Sequence, residues 1–167
     1  MTEIVFYWQG VIHALLLLLV ANGTPVIAWK LLGRRFAWPV DAGIILSDGR
    51  PLFGRSKTWR GILSSIGLVS AVSWSMSYGL AIGVAFGGLA MIGDLSASYI
   101  KRRQGMVESS RARGLDTIPE SLLPAVLLKS QLGLNGLEIS VVVLLFFMIE
   151  EFVSPILYRL NIRKRPY

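Results

Sequence analysis

Five stretches of this chain, about 8 to 32, 59 to 78, 79 to 100, 116 to 134 and 137 to 158, are apolar over the roughly 20 residues an α-helix needs to cross a hydrocarbon core. Because a span in lipid must satisfy its own backbone, helices of this kind predict an all-α, polytopic membrane bundle with about five crossings. The remaining composition agrees: 53% of the 167 residues are apolar and only 16% are charged. A single integral membrane domain over 1–167 is expected, with loops at about 33–58 and 101–115. Val11 to Val20 has the length of a signal core, but no Lys or Arg precedes it and Glu3 has the wrong sign, so a retained helix is expected.

Orientation follows from the cations. Sixteen of the 17 basic residues fall in three blocks: after the first segment, after the third, and in the tail, with only Lys129 elsewhere. An odd number of crossings puts all three blocks on one side, and the positive-inside rule makes that side cytoplasmic and the N-terminus external. The net charge of +7 is therefore topological, and the chain offers no soluble basic face for nucleic acid. Cysteine is absent, so any metal must sit on oxygen ligands or on the lone His13, whose apolar neighbours suit a packed ring better than a ligand. Asn22, Gly23 and Pro25 predict an interruption of the first helix, and small residues every fourth position, Gly79, Gly83 and Gly87 with Gly67, Ala71 and Ser75, predict close helix packing.

The third segment ends on a polar stripe. Asp94, Ser98 and Lys101 stand at i, i+4 and i+7, within about 60° on a helix, with Arg102 on the flank. A carboxylate at membrane depth is disfavoured by at least ~2.5 kcal/mol unless it pairs, binds a cation or faces water. A cap in which Asp94 pairs with Lys101 or Arg102 satisfies that requirement; so does a ligand site. Asp116 and Glu120, one turn apart at the start of the fourth segment, read either as an N-cap and a first-turn acid or as further oxygen donors facing Asp94. Acids surrounded by Lys and Arg near one membrane face describe a site for a divalent cation and a polyphosphate.

The stretch from Ser47 to Gly61 superficially has Walker A glycines at Gly49 and Gly54, but Arg55 and Ser56 intervene before Lys57-Thr58 and no buried strand precedes it. What remains is a helix start with Lys57 and Arg60 three apart, a hydroxyl at Thr58, and free N–H groups that favour phosphate.

Taken together, Ala21-Asn22-Gly23-Thr24-Pro25-Val26, Asp48-Gly49-Arg50, Phe53-Gly54 with Lys57-Thr58-Trp59-Arg60-Gly61, Gly93-Asp94 with Ser98 and Lys101-Arg102, and Leu115-Asp116 resemble the CDP-archaeol synthase family, the membrane CTP transferases of archaeal ether-lipid synthesis. The resemblance runs in order over nearly the whole chain. Gly93-Asp94-Leu95-x-x-Ser98-x-x-Lys101-Arg102 is also similar to the signature of phosphatidate cytidylyltransferases, although their later Lys-Asp is Val107-Glu108 here.

The resemblance implies a multi-pass enzyme of the cell membrane with its active site on the cytoplasmic side. It implies Mg²⁺-dependent transfer of CMP from CTP to a lipid phosphate, with release of pyrophosphate. Asp94 and Asp116 would hold the metal; Lys57, Arg60, Lys101 and Arg102 would hold the triphosphate; Asn22, Thr58 and Ser98 would add hydrogen bonds. The family's second acid stands three residues after its Leu-Asp, whereas here Glu120 stands four after Asp116, so Glu120 is the candidate replacement ligand. A non-enzymatic transporter or anionic-lipid scaffold is the competing reading, and it expects the Lys57, Asp94 and Asp116 regions to lie apart. Phosphatidate or another lipid phosphate is a further candidate acceptor.

Overall fold

The computed structural model describes residues 6–110 and 112–159, with side chains described through residue 152. Among the described residues all regular structure is helical: α1 (Trp8–Leu32), α2 (Trp59–Ser75), α3 (Leu80–Arg103), α4 (Ile118–Leu127), α5 (Lys129–Leu132) and α6 (Gly136–Arg159). Among the described residues the only β pairing is two isolated bridges, Pro39 with Thr58 and Ile45 with Pro51, in the loop between α1 and α2. Two described helices, α1 and α3, are long and apolar enough to cross a membrane.

The interruption expected at Asn22–Pro25 does not occur, and α1 runs unbroken through it for 25 residues. Pro25 has no N–H to give to the carbonyl of Ala21, four residues back. The hydroxyl of Ser65 on α2 supplies the missing donor, at 2.9 Å from Ala21 O. A second hydroxyl, Thr24 Oγ1, donates to Val20 O at 2.6 Å. The potential break is thus repaired by a neighbouring helix, as membrane-depth prolines require. The fourth expected segment, by contrast, divides into α4 and α5 at Leu128, where φ is −109° and ψ is 19°.

Close packing of α2 on α3 uses glycines of α3 as expected, but the opposite face of α2. A Cβ on Gly83 would meet Ser70 Cα at 2.4 Å, and one on Gly87 would meet Ile66 Cα at 3.0 Å. Gly67, Ala71 and Ser75 point outward; the buried stripe of α2 is Ser65, Val69, Ser70 and Ser73. Serine is small enough to serve as well as glycine, so two small-residue stripes compete in α2 and only one is used. The interior these helices enclose joins Val11, Leu17 and Leu18 of α1 to Val69, Phe86, Ala90, Ala125, Val142 and Phe146. At the end of the bundle where α6 begins, Asn135 and Glu138 form a reciprocal cap: Glu138 N donates to Asn135 Oδ1 at 3.0 Å and Asn135 N to Glu138 Oε2 at 2.8 Å. His13 Nδ1 lies 2.8 Å from the Tyr78 hydroxyl, a packed and hydrogen-bonded histidine as expected.

Candidate active site

The polar end of the bundle is organised by the loop between α1 and α2. Asp41, only 3% exposed, is its hub. Its carboxylate accepts from the backbone N–H groups of Gly43 (3.0 Å), Phe53 (2.9 Å) and Gly54 (2.8 Å). Burial alone would raise the Asp41 pKa, but these three donors outweigh it and hold it below the ordinary value. The loop is fastened to the C-terminus of α3 by a crossed pair of arginines. Arg103 donates to Asp48 Oδ1 and to Pro51 O, each at 2.5 Å, while Arg50 donates back to Arg103 O at 2.5 Å. A cation on the last carbonyls of a helix is also favoured by the helix dipole. Asp48-Gly49-Arg50, prominent in the sequence, is therefore a fastening.

Gly54 closes this loop with φ of +96°, and a Cβ there would lie 2.9 Å from the Glu108 carboxylate. Only glycine combines that dihedral with that proximity. Glu108 in turn accepts from Arg55 N at 3.2 Å. The chain then reaches Lys57, whose ammonium donates to both Asp94 oxygens at 2.6 Å. Thr58 caps α2 by accepting from Gly61 N at 3.2 Å. Arg60 reaches back over the Trp29 ring, 5.7 Å from its centroid, to the carbonyls of Gly33 and Arg35 where α1 ends.

The remaining acids come from α4 and the loop before it. A Cβ on Gly93 would stand 2.3 Å from Pro119 O, so α3 and α4 touch at the residue preceding Asp94. That contact sets Glu120, 3% exposed, beside the site. Glu120 Oε2 accepts from Asn22 Nδ2 at 3.1 Å, and its buried Oε1 has no hydrogen-bond partner. Asp116 does not cap α4. It pairs with Lys101 and accepts from Ala112 N at 2.8 Å, closing a turn. Lys101 also donates to Ser110 O at 3.0 Å, and Arg102 to Met106 O at 2.6 Å and Val107 O at 3.1 Å. These two buried cations thus order the α3–α4 loop in this structure, a task their sequence positions do not disclose.

All ten residues singled out from the sequence, Asn22, Lys57, Thr58, Arg60, Asp94, Ser98, Lys101, Arg102, Asp116 and Glu120, line one cavity of about 660 Å³. Lys57 is its electrostatic centre. Burial would lower the pKa of that ammonium, but Asp94, then Glu120 and Asp116, outweigh burial and raise it. Among the described residues no three carboxylates form a ready metal cage. Sequence reasoning missed Glu150 and Glu151, which α6 brings to the same cavity, and Asp41 behind it. The acidic pair near the end of an apolar helix was a usable signal for the first two; Asp41-Ala42-Gly43, an Asx-turn pattern, was one for the third. The convergence of Lys57, Asp94 and Asp116 goes against the transporter or scaffold reading, which required them apart.

Comparison with known proteins points the same way. The family model of CarS-like CDP-archaeol synthases matches residues 8–167. A CDP-archaeol synthase of Sulfurisphaera tokodaii is 30% identical, over 98% of this chain and 99% of that protein. Another, of Aeropyrum pernix, is 33% identical over 99% of this chain and 98% of its own. A solved structure described as an intramembrane enzyme for archaeal membrane lipids biosynthesis superposes with a TM-score of 0.72 at 26% identity, covering 85% of this chain and 90% of that one.

Proposed function

The chain belongs to the CDP-archaeol synthase family of membrane cytidylyltransferases, and from that premise we propose that it transfers CMP from CTP to the phosphate of a membrane lipid, at a cavity on the cytoplasmic side. What carries this reading is the cavity lining, six carboxylates and six cations, among them Asp94, Asp116 and Glu120 beside Lys57, Arg60, Lys101 and Arg102. A nucleoside triphosphate needs such cations, and a divalent ion beside it needs such acids. The proposed topology is a single membrane domain with five crossings and an external N-terminus, as the distribution of Lys and Arg requires.

In the proposed reaction an oxygen of the lipid phosphate attacks the α-phosphorus of CTP in line. The new P–O bond forms as the bond to the bridging oxygen of the β-phosphate breaks, and pyrophosphate departs with the electron pair. Catalysis in such a step is positioning and charge neutralisation. Lys57, held by Asp94, is placed to meet the triphosphate with an ammonium kept protonated by the surrounding acids. Arg60, Lys101 and Arg102 bring further positive charge to the wall. Asn22, Thr58 and Ser98 contribute hydrogen-bonding groups to the same wall.

Mg²⁺ is usually held by one or two carboxylates, with phosphate oxygens and water filling its other positions. The partnerless, buried Oε1 of Glu120 fits that demand, as does the Asp94 carboxylate in the same cavity, while Asp116 lines that cavity paired with Lys101. When bound, the ion would neutralise charge on the triphosphate. The deciding experiment is CTP turnover by the purified protein in detergent with Mg²⁺, offered an isoprenyl-ether glycerol phosphate and phosphatidate side by side. Pyrophosphate release and a CDP-lipid product are expected with at least one acceptor; absence of product with both refutes the proposal.

A further inference from the structure

A second hollow, of about 450 Å³, lies between α4 and α6. Its walls include Ile118 and Leu122 from α4 and Ile139, Val143 and Phe147 from α6. Each set is spaced by four residues, so the two helices turn apolar stripes toward a common groove. Along α6 the groove extends about 12 Å, comparable with the ~15 Å hydrocarbon depth of one leaflet. Arg113 lines both this groove and the polar cavity. Its side chain is 73% exposed, and its charge partner is Glu151, with Nε 3.7 Å from Oε2. Lys57, Lys101 and Arg102, by contrast, are each engaged through short hydrogen bonds inside the cavity.

A cation at the junction of an apolar groove and a phosphate-compatible cavity matches one class of ligand, a molecule with an anionic phosphate head and a hydrocarbon tail. We infer that the α4–α6 groove receives a tail of the acceptor lipid, and that Arg113 at its mouth takes the lipid phosphate and sets it beside the nucleotide. The inference rests on the cytidylyltransferase reading above. A guanidinium can bind phosphate oxygens through two parallel N–H donors, and the loose pair with Glu151 yields more readily to a phosphate than the bonds inside the cavity would. The groove keeps the tail on the lipid-facing flank of α4, so the lipid enters sideways from the bilayer while CTP enters from water.

The test is a kinetic split, with lipid phosphate and CTP varied separately for the full chain in mixed micelles. Arg113→Ala should raise the KM for the lipid phosphate about tenfold and leave the KM for CTP within about twofold, because it removes ground-state binding of one substrate only. Val143→Trp, which fills the groove without touching any charge, should shift the same parameter in the same direction; CTP binding by calorimetry reports whether each variant is folded. An unchanged lipid KM in folded Arg113→Ala, or a rise in the CTP KM instead, overturns the inference. If the unmodified protein makes no product with either acceptor, it is the cytidylyltransferase reading that fails.

Discussion

Gly93 packs against the backbone of Glu120 where α3 meets α4: a Cβ added to Gly93 would lie 2.6 Å from Glu120 Cα. That contact brings the carboxylates of Asp94 and Glu120 to one cavity wall, since each is fixed to its helix at or next to the crossing. Gly93→Ala should therefore push α4 away and lower CTP turnover by about tenfold or more, with a stability loss of ~1–3 kcal/mol typical of overpacking. Turnover in detergent and thermal unfolding measure the two effects, and retention of full activity would show that the spacing of these helices does not matter to the chemistry.

Lys57 and Asp94 tie the α1–α2 loop to α3 at 2.6 Å, across 37 residues of sequence. Removing one partner leaves the other charged and poorly compensated within the cavity. Asp94→Asn and Lys57→Ala should each reduce turnover by ~10²-fold or more, the scale seen when one preorganised electrostatic group is lost. The double variant should fall well short of the product of the two losses, because both changes disable one unit. Multiplicative losses in the double variant would mean that the two residues act independently.

The repair of α1 by Ser65 makes a stability prediction with an internal control. Ser65→Ala leaves the Ala21 carbonyl without its donor and should destabilise the protein by about 1–2 kcal/mol. Pro25→Ala restores an N–H at the position that bonds Ala21 in a regular helix, so adding it to Ser65→Ala should recover part of the loss. Thermal denaturation of the four proteins in one detergent measures the cycle; an additive result would show that Ser65 does not substitute for the proline's missing donor.

Asp41 predicts a pH dependence confined to the α1–α2 loop. Its folded pKa lies below the ordinary 3.8. A depressed carboxylate contributes stability that is present above the unfolded value and lost as pH falls through the folded one. Amide exchange at Gly43, Phe53 and Gly54 should lose protection as pH is lowered below about 4, after correction for intrinsic rates. In Asp41→Asn the protection should be weaker at neutral pH and should not change over that range. Equal protection in both proteins at pH 7 would remove Asp41 from its role as the hub of the loop.

Helical class and ten side chains that line the cavity were legible in the sequence, because apolar length and local spacing are properties of neighbouring residues. Which partner each residue takes was not. Lys101 and Arg102, three and four residues beyond Ser98, look like phosphate ligands along one helix, yet their hydrogen bonds run to carbonyls of the following loop. The pairing of Lys57 with Asp94, the continuity of α1 through Pro25, the outward turn of Gly67, and the arrival of Glu150 and Glu151 in the same cavity are decided only when helices distant in the chain pack. Periodicity identifies the faces a helix can bury; packing density selects among them, since α2 carries two small-residue stripes and only one fits against Gly83 and Gly87.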